Sequence, residues 1–363
     1  MATTMKNTDS LHAVSPLLQL PGATALSPED DPTAQAAHPG VAWHYGDPLS
    51  EQRVFEPSLA LIDRSHRTVI AVSGEDAPAF LNNLLSQKLD QAEHGFAAQA
   101  LNLDAQGRIV HQMDVLFWND IFYLDCEPAD APTLLDYLQK MVFWSKVEIS
   151  TPEIGILTLI GTLPARDWEH PHRMVEGFGL PRLDLLVAKT ELFDVATSLI
   201  RDGATATGLM AYQAQRVRSL MPERSLDLDE KSIPHESPVL LAQAVHLHKG
   251  CYRGQETVAR VENLGRSPRV VVLVHLDGSA PTLPLTGEPI TAGASSRALG
   301  RIGTVVHDYE YGPVALAVLK RSAVNKKDLR AGEVAVAVDH DSVPVDGGTP
   351  AGREAIERLQ GRR

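Results

Sequence analysis

Lys249-Gly250-Cys251-Tyr252-Arg253-Gly254-Gln255-Glu256 sets one of the chain's two cysteines among basic residues and glycines. A thiol does chemistry as its thiolate, and a nearby cation or helix N-terminus raises the thiolate fraction. Lys249 and Arg253 supply the cations, and the helical character of Glu256 to Leu264, stopped by Gly265, would turn its positive end toward the loop. Upstream, Ser237 and Pro238 form an N-cap and first-turn pair for a helix through Ala244. Cys251 therefore sits on a connector between two elements, where Gly250 and Gly254 let the backbone turn sharply. A small buried cysteine is the other reading of the same residue, and the two stay open here. Cys126, beside Glu127 and without a basic neighbour, reads as structural.

His246 and His248 add a metal reading. With Val245 to Leu247 extended they share a face, and with Cys251 they give His-x-His-x-x-Cys. No fourth ligand is evident, so a solvent-facing pair is expected and no metal. The chain has no phosphate-binding Walker loop, no dinucleotide fingerprint after a strand and no nucleophile-elbow serine.

The bulk composition narrows the partners. Lys and Arg number 33 against 46 Asp and Glu, a net charge of −13 that argues against nucleic acid, because phosphate repels such a surface. Hydrophobic residues at 44% and charged ones at 22% describe a globular chain. No apolar run reaches the roughly 18 residues needed to span a bilayer, so no membrane partner is expected. Two cysteines and the lack of a secretory pattern point to a reducing, cytoplasmic setting.

The elements that must position the thiol follow from periodicity. Residues 1–40 read as a flexible leader. An α+β unit over 41–150 has strands at Thr68 to Ser73, Ala98 to Leu103, Ile109 to Phe117, Ile121 to Asp125 and Lys146 to Ile149, with Ile70 and Val72 on one face. Its helices are Asp76 to Leu85 and one N-capped by Asp130. A second α+β unit, 151–266, has strands at Gly155 to Ile160 and Asp184 to Ala188, helices at Glu191 to Arg201 and Gly208 to Leu220, and the cysteine motif. Four short strands without helices make 267–345 a small β-barrel, and 346–363 is a loose tail ending in a short polar helix through Glu354 to Leu359.

The cysteine motif, continuing into Thr257-Val258-Ala259-Arg260, resembles the signature of the YgfZ-type folate-binding proteins. These are relatives of the glycine-cleavage T-protein that serve iron–sulfur cluster assembly or repair, and the mitochondrial Iba57 proteins share the motif. Leu61-Ile62-Asp63 ahead of Gly74, Phe143-Trp144-Ser145-Lys146-Val147, Ile233-Pro234-His235-Glu236 and Gly312-Pro313 match in the family's order, so the resemblance spans about 41–345. It implies the T-protein-like fold: two α+β domains and a C-terminal β-barrel around a central channel that holds tetrahydrofolate or a derivative. It also implies Cys251 as the functional thiol, tuned by Lys249, within the motif residues Gly250, Tyr252, Gly254, Gln255 and Glu256.

A pterin needs an aromatic wall and its anionic tail needs cations. Tyr212 stands where family members carry a folate-contacting Trp, and Arg67, Arg216 and Arg260 are the expected tail contacts. Two departures matter. The paired carboxylates of T-proteins are replaced by His111 and Gln112, and Asp114 lies two residues, ~7 Å, further along the strand, too far for proton transfer at ~3 Å. An Arg-x-Glu becomes Arg216-Val217-Arg218. The resemblance thus implies a folate-binding accessory protein that works with iron–sulfur assembly or client proteins and is not a classical aminomethyltransferase. A folate-dependent aminomethyltransferase or other one-carbon enzyme is the alternative, and a scaffold on which Cys251 merely packs is the third.

Overall fold

The computed structural model describes residues 14–31, 34–293 and 295–344. Strands Ala97–Leu103, Ile109–Trp118, Ile121–Cys126, Thr68–Ser73 and Glu148–Ser150 lie side by side in that order as an antiparallel sheet. Alternation sends Ile70, Val72, Met113, Val115, Phe122 and Leu124 to one face, where helices Ala77–Leu84 and Ala131–Lys140 cover them. Asn119 and Asp120, with φ of 49° and 62°, make the two-residue turn that the strand twist favours. Asp130 precedes its helix as expected, but its side chain caps nothing; it accepts a bond from Arg224 at 2.8 Å instead.

The second sheet runs His172–Val175, Arg182–Ala188, Ile154–Gly161, Leu59–Asp63 and Thr205–Thr207. Its outer face, with Leu61, Leu157, Leu159, Leu183, Leu185 and Val187, packs on helix Leu192–Arg201. Strand Leu59–Asp63 precedes the first sheet in the chain yet pairs within the second, so the boundary expected at 150 is crossed by an earlier segment. The leader also differs from expectation from residue 14 onward. Leu17 is buried in the same core, and the Ser15 hydroxyl donates to Asp63, so a few apolar side chains tie down a segment whose average composition reads as loose. The expected tail over 346–363 lies outside the described residues.

The barrel closes in the order Arg269–Leu276, Gly312–Lys320, Ser295–Asp308, Pro289–Ala292, Leu329–Ala331 and Val334–Val338, the last pairing back to the first. Val270, Val272 and Val274 point into it, while Val271 and Leu273 join an outer cluster with Leu101, Leu103, Ile109 and Tyr252.

The inner faces of the two sheets meet through charges. Arg67 donates to Asp125 at 2.7 Å and Glu127 at 2.5 Å; Arg173 reaches Asp184 at 2.9 Å and also bonds Asp125; Arg182 reaches Asp184 at 2.7 Å. Asp125 belongs to the first sheet and Asp184 to the second, so Arg173 bridges them. Burial works against the charged form of Asp184, but Arg182, Arg173 and Arg64 outweigh it and hold the carboxyl far below its ordinary value.

Removing one partner of such a network leaves buried charge uncompensated, at about 3–5 kcal/mol. Asp184→Asn should lower the unfolding free energy by that order in denaturant titration. Because the folded pKa is depressed, the carboxylate's contribution is complete above its unfolded value near 4 and falls as pH drops below it. Acid unfolding of the native chain should accordingly begin below about pH 4 and be blunted in the variant.

Candidate functional site

Helix Pro238–Ala244 is capped by Ser237, whose hydroxyl accepts from the Leu240 N–H at 3.2 Å. Beyond it the chain turns: the Lys249 N–H donates to the His246 carbonyl at 3.3 Å and the His246 N–H to the Ser86 carbonyl at 3.0 Å. The extended run over Val245 to Leu247 on which the metal reading depends gives way to this turn, so the two imidazoles do not line a strand face. Among the described residues no three His, Cys, Asp or Glu side chains are grouped to hold a metal.

Lys249 is buried, and its ammonium donates to the carbonyls of Leu85 at 2.6 Å, Gln87 at 2.8 Å and Asn82. Three acceptors match the three protons of an ammonium, at the C-terminal end of helix Ala77–Leu84 where a cation is favoured. Burial pulls its pKa down to about 8. The side chain expected to tune the thiol is therefore a strut between the motif and the first sheet's helix. Tyr252 is buried against the barrel with its ring centroid 5.1 Å from that ammonium, and burial pushes its hydroxyl up to about 12. Gly254 has φ 83°, and a Cβ there would stand 2.5 Å from the Asp104 carbonyl and 2.9 Å from the Gly107 Cα. Only glycine lets the motif press onto the turn of the first hairpin. Gln255 closes the loop, its Oε1 accepting from the Tyr252 N–H at 3.1 Å.

Between these anchors Cys251 is exposed, together with Gly250, Arg253 and Glu256. Cys126 is buried, and burial drives its thiol far above the ordinary range. Of the two readings left open for Cys251, the packed cysteine is the one this placement disfavours.

A cavity of about 700 Å³ opens between the sheets and helix Pro238–Ala244. Phe96 supplies an aromatic wall, with Gln87, Gln99, Asp114, Arg173, Glu176 and Gln243 as its polar lining. Gln99 and Asp114 face each other across paired strands, and Gln99 Nε2 donates to Asp114 at 2.9 Å. Burial would raise Asp114, yet Arg173 and Arg67 prevail and keep it below its ordinary value, so it is an ionised acceptor. Gln99 Oε1 and Gln243 Oε1 are buried without a hydrogen-bond partner. Buried acceptors are normally satisfied, so these two oxygens, on lining residues but closed to water, would meet a ligand's N–H donors once the amides turn toward the cavity. The sequence reading set Asp114 aside for its distance along the strand and missed Gln99 and Gln243. The usable signal was a polar pair, Gln99 and Asp114, at facing positions of two strands.

The side chains expected to hold folate are not brought together. Tyr212 is 4% exposed, stacked on Phe178 at 5.2 Å and 4.5 Å from the Arg64 guanidinium, which takes its faces out of ligand reach. Arg216 is spent on Asp227 at 2.6 Å, the Met221 carbonyl at 2.7 Å and Thr304 at 2.5 Å, tying its helix to the barrel. Arg67 lies in the charge network. Arg260 is exposed on helix Gln255–Leu264, away from the cavity lining. Arg218, in place of the family's Glu, pairs with Asp308 at 3.3 Å and Glu310 at 3.2 Å.

Comparison with known proteins agrees with this architecture. Residues 269–344 match the family model of the CAF17 C-terminal beta-barrel domain. The chain is 26% identical to the tRNA-modifying protein YgfZ of Aliivibrio fischeri, over 72% of this chain and 86% of that one. It is 26% identical to the mitochondrial iron-sulfur cluster assembly factor IBA57 of Mus musculus, over 71% of this chain and 76% of that one. A putative chloroplastic transferase of Arabidopsis thaliana is 25% identical over 65% of this chain, which spans only 60% of that longer protein. The crystal structure of the glycine cleavage system aminomethyltransferase T from Bartonella henselae superposes with a TM-score of 0.73, covering 89% of this chain and 94% of that one at 17% identity. Among the described residues no helix is long and apolar enough to cross a membrane. The chain is similar in sequence to the YgfZ and IBA57 proteins, has the fold of the T-protein aminomethyltransferase, and carries a CAF17-type β-barrel over 269–344.

Proposed function

We propose that this protein binds a reduced folate in the cavity lined by Gln99, Asp114 and Gln243, and serves iron–sulfur cluster assembly or repair through the Cys251 thiol. The observation that carries the reading is the pairing of an exposed thiol on an otherwise anchored loop with a cavity whose lining glutamines, Gln99 and Gln243, keep unsatisfied acceptors. Tetrahydrofolate offers ring N–H and amino donors to those acceptors and a ring face to Phe96, and when bound it supplies a carrier for one-carbon units. Asp114 would orient the ring as a fixed anion. It is a poor general base, because Arg173 and Arg67 hold its proton affinity down. Aminomethyl transfer of the T-protein kind is therefore not part of the proposal.

Calorimetric titration with tetrahydrofolate should show saturable one-site binding. Gln99→Leu, which deletes an unpartnered acceptor on the cavity wall, should weaken it about five- to tenfold, the order of one net hydrogen bond of ~1 kcal/mol. Unaltered affinity would remove this wall from the binding site.

The thiol is tested by Cys251→Ser. Serine keeps the shape but stays protonated at neutral pH, so it is a poor nucleophile and a poor soft-metal ligand. At an exposed position the unfolding free energy should stay within about 0.5 kcal/mol of the native value. Complementation of a deletion strain, read through an iron–sulfur enzyme under oxidative stress, should be lost. A variant that folds and complements fully would take the thiol out of the function.

A further inference from the structure

The thiol loop and the cavity wall are built on the same few residues. Gln87 lines the cavity, and its Nε2 donates to the carbonyls of Gln99 at 3.3 Å and Gln243 at 2.9 Å, both cavity residues. The Gln87 carbonyl is one of the three that Lys249 grips. Ser86, one residue earlier, makes the parallel set of joints. Its hydroxyl donates to the Ala244 carbonyl at 2.6 Å and accepts from the Leu101 N–H at 2.9 Å, while its carbonyl accepts from the His246 N–H. The short segment Ser86–Gln87 thus touches the cavity on one side and both ends of the turn leading to Cys251 on the other. Neither Ser86 nor Lys249 lines the cavity itself.

Resting on the folate reading above, we propose that a ligand in the cavity clamps the cysteine loop through Ser86–Gln87 and Lys249, so that Cys251 is held in one place when the cavity is filled. Lys249 is then a positioning residue. The physical reason is that the cradle has two ways to open. The loop can lift off by breaking the three Lys249 bonds, or Ser86–Gln87 can shift by giving up the Gln87 Nε2 bonds to the Gln99 and Gln243 carbonyls. A ligand packed against Gln87, Gln99 and Gln243 in the cavity removes the second route and stabilises the closed cradle. Coupling between binding and a local equilibrium is reciprocal, so whatever the ligand adds to the closed loop, the closed loop adds to ligand affinity.

Hydrogen exchange with mass readout, on the full chain with and without saturating 5-formyltetrahydrofolate, tests this. Saturation should slow exchange in peptides covering Ala97 to Ala100 and also, by about tenfold, in peptides covering His246 to Gly254. Lys249→Met keeps the bulk of the stem and removes the donors. In it the ligand should still slow the cavity-wall peptide, the slowing at the motif should fall below about twofold, and the dissociation constant should rise by the factor that the motif has lost. Where Lys249→Met does not fold, Ser86→Ala removes two bonds of the same joint and should give a partial loss of the same kind. Cys251 alkylation supplies an independent readout, because Cys126 is buried and silent. Ligand should make the rate uniform across the population and independent of mild denaturant, up to the concentration where the cavity empties. Slowing at the cavity wall alone overturns the clamp and leaves the folate reading standing. No slowing anywhere overturns both.

Discussion

The network of Arg64, Arg67, Arg173 and Arg182 with Asp114, Asp125, Asp184 and Glu127 is the constraint from which the rest of the arrangement follows. Two sheets whose inner faces were apolar would collapse onto each other to native packing density, leaving no void. Guanidinium–carboxylate pairs instead demand fixed forks and distances, and each buried charge must find its partner because an unpaired one is costly. The sheets are therefore held where the pairs are satisfied, and the space left beside them is the cavity. Asp114 belongs to both: its carboxylate meets Arg173 at 3.5 Å in the network and lines the cavity. Burial pushes Glu223, the carboxylate at the edge of the network, up to about 7 despite Arg67, so the network reaches its limit of anionic charge there.

The motif around Cys251 divides into residues that fix the loop and a residue that is free. Lys249 spends its charge on three carbonyls, Tyr252 fills the outer barrel core, and Gly254 permits a contact that any side chain would block. The bonds and contacts of this stretch serve to place one sulfur at the surface. An exposed cysteine is unusual, since free cysteine behaves as a small hydrophobe and is among the most buried residues. That contrast is what sets the thiol apart from its neighbours and supports the role proposed for it.

Local pattern made most of the elements legible. Alternation at Ile70 and Val72, the turn at Asn119-Asp120, the Ser237-Pro238 start and the Gly265 stop each act within a few residues, and the structure places strands, turn and helix ends where they point. What escaped depends on partners distant in the chain. Arg67, Arg216 and Tyr212 have the right chemistry for a folate, but Asp125, Asp227 and Phe178, which occupy them, are set by the fold and not by spacing. The same holds for Lys249, adjacent to the cysteine in sequence yet bonded to residues more than 160 positions away. From residue 14 the leader departs from expectation for a related reason, since Leu17 and the Ser15–Asp63 bond tie it to the second sheet whatever the composition around them.

The motif's position in the fold would let it serve both the architecture and the role proposed for the thiol. Tyr252 and Val258 sit in the core shared by the first sheet, the helix before the motif and the barrel wall, so that stretch is where three structural units are pinned together. A group presented from such a junction loses less conformational entropy when it engages a partner once the cradle is closed, because its backbone is then held. The same thiol on a free loop would have to be ordered at each encounter. Placing it at the seam uses bonds that the fold already needs, and it brings the sulfur's anchor, Lys249, into contact with Gln87 on the cavity wall. A single ammonium thereby joins the site that would hold a small molecule to the site that would act on a partner.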